Sequence, residues 1–196
     1  MAGLRRIVTV VATVAFASGC DGATGADDQP SSSAGPANLD CIEASTSNSA
    51  LRANIPRGFQ IDDGARANLF DQVVQRDAEH GGFPARVAIG AIRPDDWEDD
   101  EPDWKVTQSS ATAITDGFDT GDPAVEGSYA KARRTRATEV TYTAPNRANG
   151  GRHTVWSSVR RVGADRFTVT LVAPAGTSFE ELKNAVEPTV AEGSCP

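Results

Sequence analysis

Along most of the chain the apolar positions come in short runs cut by turn residues, and their spacing names the elements. Ile55-Pro56-Arg57-Gly58-Phe59 sets a Pro-x-Gly turn just before an apolar anchor, which predicts the start of a first strand. Leu69, Phe70, Val73 and Val74 suit a helical face. Residues 69–76 also lead through Gly81-Gly82 into the β-prone run Val87-Ala88-Ile89-Gly90-Ala91-Ile92, so a hairpin is preferred to a helix there. Val106, Ala113, Ile114 and Phe118 predict a helix over Lys105 to Phe118, with Gly117 near its end. Three further strands are expected: Ser128 to Tyr142, His153 to Arg161 after the turn at 146–151, and Arg166 to Ala173 after Gly163-Ala164-Asp165. Only the last alternates cleanly, with Phe167, Val169, Leu171 and Ala173 on one side and Thr168 and Thr170 on the other. Pro174 and Gly176 end it. Thr177 or Ser178 then caps a closing helix whose buried stripe is Phe179, Leu182, Ala185 and Val186, with Glu180 and Glu181 in the dipole-favoured first turn. Strands grouped between two helices and joined by hairpins give an α+β domain, a mainly antiparallel sheet of about six strands flanked by two helices.

The first 40 residues do not fit that pattern. Arg5 and Arg6 precede the apolar stretch Ile7 to Phe16, which is too short to span a bilayer, and small residues follow it, as in a secretory signal. Ala17-Ser18-Gly19-Cys20 resembles the bacterial lipobox, with Ala17 where Leu usually stands. The resemblance implies that residues 1–19 are removed and that Cys20 is diacylglycerylated, with cleavage without lipidation as the alternative. Two or three acyl chains anchor a protein to the outer face of the cytoplasmic membrane without a transmembrane helix. Residues 20–40 hold no large apolar side chain until Leu39 and read as a flexible tether whose mean reach is on the order of 25 Å. Residues 41–196 are then a single globular domain, expected to be a monomer.

With Cys20 lipidated, Cys41 and Cys195 remain, one at each end of the domain and in an oxidising compartment. They are expected to form a disulfide that brings the domain's ends together. Two isolated thiols without a neighbouring His make a poor metal site, and neither metal nor cofactor is expected.

The Ile-Pro-x-Gly-Phe opening is followed by a hairpin, a helix and a Val125-Glu126-Gly127 turn into a strand with small residues. A hairpin ending in Thr168-Val169-Thr170-Leu171-Val172-Ala173-Pro174 and a final helix complete the order. The whole resembles the PsbP-like fold over residues 52–194, and more closely the actinobacterial lipoproteins of the LpqN/LpqT type. That resemblance implies an α/β/α sandwich with a binding or accessory role in the cell envelope, and brings no catalytic signature with it.

Candidate chemistry is sparse. Ser128-Tyr129-Ala130-Lys131 matches the Ser-x-x-Lys spacing of penicillin-binding enzymes, but on an extended strand positions 128 and 131 lie on opposite faces, and there is no Lys-Thr-Gly. His80 and His153 are the only imidazoles, and both are expected to be solvated at loops or strand starts. Seven acids occupy the nine positions from 95 to 103; calcium is one reading, but Asp100 stands where an EF-hand loop needs Gly, and a solvated acidic loop is preferred.

Charge is unevenly spread. Residues 20–126 carry 7 basic and 21 acidic side chains, whereas residues 127–166 carry 9 and 2. The mature net charge of minus 10 argues against nucleic acid as a partner. The basic block comprises Lys131, Arg133, Arg134, Arg136, Arg147, Arg152, Arg160, Arg161 and Arg166 on strands expected to be neighbours, and it is the one candidate surface for an anionic ligand or an envelope protein. Arg134, Arg136, Arg160 and Arg161 are the expected contacts, with Trp156 as a stacking surface. The sequence thus points to a lipid-anchored, non-enzymatic binding or accessory domain. A cell-wall or small-molecule hydrolase, or a carrier or sensor holding a ligand in a cleft, are the alternatives.

Overall fold

The computed structural model describes residues 40–63, 69–77, 83–93, 101–115, 121–147 and 150–196. Signal segment, Cys20 and most of the tether lie outside them. Two antiparallel sheets are formed. The large one runs in the order β3 (Gln60–Ile61), β4 (Gln72–Arg76), β5 (Ala85–Ile92), β8 (Asp165–Pro174), β7 (Arg152–Val162), β6 (Glu139–Pro145). The small one is β1 (Cys41–Ser45), β2 (Ala50–Asn54) and β9 (Ala191–Glu192). The described residues also form three α-helices: α1 (Asp103–Ile114), α2 (Pro123–Thr135) and α3 (Thr177–Val186).

Both faces of the large sheet are covered, which is why β5, β7 and β8 bury nearly every residue. On one face Val87, Ile89, Trp156, Phe167, Val169 and Leu171 pack with Ile42 and Leu51 of the small sheet and with Phe179, Leu182 and Val186 of α3. Full burial of each of those α3 side chains contributes about 1.5–3 kcal/mol, enough to hold a ten-residue helix that is marginal alone. On the other face Ala88, Val155 and Val172 meet Ala111 and Ile114 of α1 and Val125 and Ala132 of α2. The seating of α1 uses small side chains. Thr107, Ser110 and Ala111 are buried, and a Ser157–Thr170 hydroxyl pair at 2.9 Å lies in the sheet on that face.

The hairpin over 69–92 forms as β4 and β5, with Val74 opposite Val87. Gly90 is what admits the incoming chain: a Cβ there would lie 2.1 Å from the Leu69 carbonyl oxygen and 2.9 Å from Phe70 Cα. Asp71 then substitutes for the ended strand, accepting from the Ala91 amide at 2.8 Å.

Four expectations need correction. The strand over Ser128 to Tyr142 is helix α2 followed by β6. Asp122 caps that helix through the Ala124 amide (2.9 Å) and Pro123 stands at its start, a strong initiation signal that outweighs the later β-branched residues. The described residues form three α-helices rather than two. Strands β1 and β2 precede Ile55, so the strand expected there is not the first, and its start moves to Gln60. Helix α3 begins after Gly176 (φ 97°) with no side-chain cap from Thr177 or Ser178. The helix expected from Lys105 is α1, which holds in its core; Phe118 and Gly117 lie outside the described residues.

The ends of the domain meet: Cys41 and Cys195 are disulfide-bonded with Cα atoms 5.9 Å apart, and the Cys195 amide donates to Glu43 Oε2 at 2.6 Å. No helix among the described residues is long and apolar enough to cross a membrane.

Candidate functional site

At the turn end of the β7–β8 hairpin lies a cleft of about 470 Å³. Four arginines line it, each brought by a different piece of chain: Arg93 just beyond β5, Arg136 at the end of α2, Arg161 late in β7 and Arg166 early in β8. Its acidic groups are Glu101, Asp103 and Asp165, and Ile92, Pro102 and Trp104 give it an apolar wall.

The hairpin register sets the centre of the site. Arg161 and Arg166 are direct cross-strand partners, and Asp103, the first residue of α1, lies between them. Arg161 Nη2 donates to both Asp103 carboxylate oxygens at 3.0 Å, and Arg166 Nη1 reaches Asp103 Oδ1 at 3.4 Å and the Glu101 carbonyl oxygen at 2.6 Å. Glu101 pairs with Lys105 one turn on, and Arg93 with Asp71. Asp165 accepts hydroxyl protons from Ser49 at 2.5 Å and Thr46 at 2.7 Å. Those two donors, Ser49 first, hold its carboxyl below the usual range.

Arg136 is different. It closes α2 in the left-handed region (φ 50°, ψ 42°), and the Ala137 amide donates back to the Ala132 carbonyl at 3.0 Å, a Schellman closure in which this position usually belongs to glycine. It is the one non-glycine residue with positive φ among the described residues. Its side chain is exposed at the cleft and makes no ion pair or hydrogen bond among the described residues.

Of the residues expected from sequence, Arg136 and Arg161 therefore share a site, joined by Arg166 of the basic block and by Arg93, which no pattern in the sequence marks. Arg134 lies exposed on the last turn of α2 and does not line the cleft. Arg160 points to the opposite sheet face from Arg161, as strand alternation requires. There it stands 3.6 Å from Glu187 Oε1, with its guanidinium 5.8 Å from the Trp156 ring centroid. Trp156 itself is fully buried, with Lys183 Nζ 5.6 Å from its ring on that face, so it is a core residue and not a surface for a ligand. The basic block is also not one strand surface, because Lys131, Arg133 and Arg134 sit on α2.

The remaining chemistry moves as well. Ser128 and Lys131 are one helical turn apart on α2, so the strand argument against them falls. The Ser128 hydroxyl instead donates to the Ala124 carbonyl at 2.8 Å, while Lys131 is exposed. His153 is buried rather than solvated, edge-on to Phe83 with ring centroids 5.3 Å apart and Nδ1 3.3 Å from the Gly151 carbonyl. His80 lies outside the described residues, as do residues 95–100 of the acidic run. Glu101 and Asp103, the part of that run that is described, serve as intramolecular counter-charges. Among the described residues no group of three or more His, Cys, Asp or Glu side chains is placed to hold a metal ion.

No protein-family model matches the chain, and no curated protein matches it with significance.

Proposed function

We propose that the protein is a lipid-anchored, non-enzymatic binding or accessory domain of the bacterial cell envelope, of the LpqN/LpqT type and PsbP-like in fold, exported and held through Cys20 at the outer face of the cytoplasmic membrane. The observation that carries the binding role is the convergence of Arg93, Arg136, Arg161 and Arg166 on one cleft with an apolar wall. Guanidinium groups grip phosphate or carboxylate in a planar fork, and a concave site with a few convergent polar groups suits a specific ligand. Six strands with helices on both faces support the sandwich architecture. The anchoring rests on the basic, apolar and small-residue sequence that ends at Cys20.

The test has two arms. Cells fed an alkyne fatty acid should label the wild-type protein and not Cys20→Ser, and that variant should move from the membrane to the soluble fraction; continued membrane association overturns the anchor. Charge reversal at Arg136 and Arg161 to Glu should abolish recovery of envelope partners cross-linked to the protein on cells. Unchanged recovery overturns the cleft as the binding face.

A further inference from the structure

We infer that the cleft is the site for a small soluble phosphate ester, with Arg136 as the residue that engages its phosphate. The inference rests on the cleft being a binding face but not on the lipid anchor. Arg136 occupies a left-handed helix-closing position that glycine would fill without a Cβ penalty. A cation at a helix C-terminus gains less from the dipole than the left-handed backbone of a non-glycine residue costs, so stability gives no net reason for an arginine there. Its side chain lies in the cleft without an ion-pair or hydrogen-bond partner among the described residues, while the other three cleft arginines are each held by a carboxylate. Among the described residues the cleft thus holds three guanidinium groups anchored by carboxylates and one, that of Arg136, left unengaged.

The geometry selects among anions. A planar carboxylate is already supplied from within the chain by Asp103, which occupies the Arg161 and Arg166 forks. What remains are donors approaching from three elements, the end of β5, the cap of α2 and the β7–β8 hairpin, an arrangement that suits an oxyanion with several acceptor oxygens. A volume of about 470 Å³ exceeds what a lone ion fills, and Trp104, Pro102 and Ile92 offer a surface to an organic group esterified to it. A phospholipid headgroup would present the same chemistry, and the vesicle arm of the experiment separates that source from a soluble ester.

The experiment is calorimetric titration of the full chain, purified in detergent with its disulfide intact, using inorganic phosphate, glycerol 3-phosphate and acetate, with sedimentation on phosphatidylglycerol vesicles alongside. Saturable binding is expected for glycerol 3-phosphate, weaker for phosphate and none for acetate. Arg136→Gly should weaken it at least tenfold while leaving the melting temperature equal or higher, and Arg136→Ala should weaken binding equally. The inference is overturned by no saturable binding, by binding that survives Arg136→Gly, or by binding seen only on anionic vesicles. A fall in melting temperature for Arg136→Gly would assign Arg136 to the fold and equally overturn it. If phosphate binding fails while the Arg136/Arg161 charge reversal still abolishes partner recovery, the cleft is a protein-binding face and only the ligand class is wrong; if both fail, the cleft binds nothing.

Discussion

Arg161 and Arg166 face each other across the β7–β8 ladder, two like charges in the position where cross-strand neighbours interact most strongly. Asp103 makes the pairing tolerable by accepting from both, and so ties the start of α1 to the hairpin. Asp103→Asn keeps the shape and removes the charge, leaving the arginines opposed. It should cost about 1–2 kcal/mol, more than an isolated surface pair, with part of the loss recovered at high salt. Arg161→Ala, at a side chain 60% exposed, should cost under about 1 kcal/mol. Arg166→Ala, at 13%, should cost about 2 kcal/mol because it also strands the Glu101 carbonyl. Urea denaturation at low and high salt measures all three, and a neutral Asp103→Asn would show the contact to be incidental.

How much of this was legible follows from which residues carry the pattern. Strand β8 was, because large apolar residues alternate with Thr168 and Thr170. That both faces are buried was not, because α1 covers the threonine face with Thr107, Ser110 and Ala111, none of them strongly apolar. Strands β1 and β2 hid for a related reason: two of their inward positions, Ala44 and Ala53, are alanines. Helix α2 buries only Val125 and Ala132 completely, so its periodicity is faint. Asp122-Pro123 was the signal that could have found it. For the site, alternation alone separates Arg160 from Arg161. The closeness of Arg93, Arg136 and Asp103 depends on how α1 and α2 lie over the sheet, which no local spacing encodes.

Two glycines test these assignments in opposite directions. Gly90→Ala drives a Cβ into the backbone at Leu69 and Phe70, which cannot move without breaking the β4–β5 register, and should cost at least about 3 kcal/mol. Gly127 lies within α2, where an added Cβ would meet nothing within 4 Å, so Gly127→Ala should stabilise by about 0.5–1 kcal/mol. If residues 128–135 were instead a strand, Gly127→Ala would bring no such gain. Chemical denaturation of the two variants distinguishes the cases.

The Cys41–Cys195 bridge closes a sequence separation of 154 residues, and the chain-entropy relation puts its stabilisation near an upper bound of about 5 kcal/mol. Cys41→Ala with Cys195→Ala should therefore lower stability by about 2–5 kcal/mol. Thiol labelling of denatured, unreduced mature protein should find neither cysteine free. Two reactive thiols in that experiment would remove the bridge and with it the covalent joining of the ends.

His153 should give the domain a stability that depends on pH in the mildly acid range. Burial is the largest influence on it and lowers its pKa below the ordinary 6.5, while backbone hydrogen bonds to Gly151 and Phe83 act in the opposite direction. The folded pKa thus lies below the unfolded one, and the unfolded chain takes up the proton first. The contribution is fully present above about pH 6.5 and is lost as pH falls from there through the folded value, below which this group costs nothing further. Asp165 titrates in a separate window: its folded pKa lies below 3.8, so its contribution is present above that value and lost only as pH falls through the lower folded one. Urea midpoints measured between about pH 7 and 5 in a His80→Gln background leave His153 as the one titrating imidazole. Stability should decline across that range with His153 present and stay nearly level in His153→Gln, whatever that substitution costs overall. A decline of equal slope in both would assign the pH dependence to other groups.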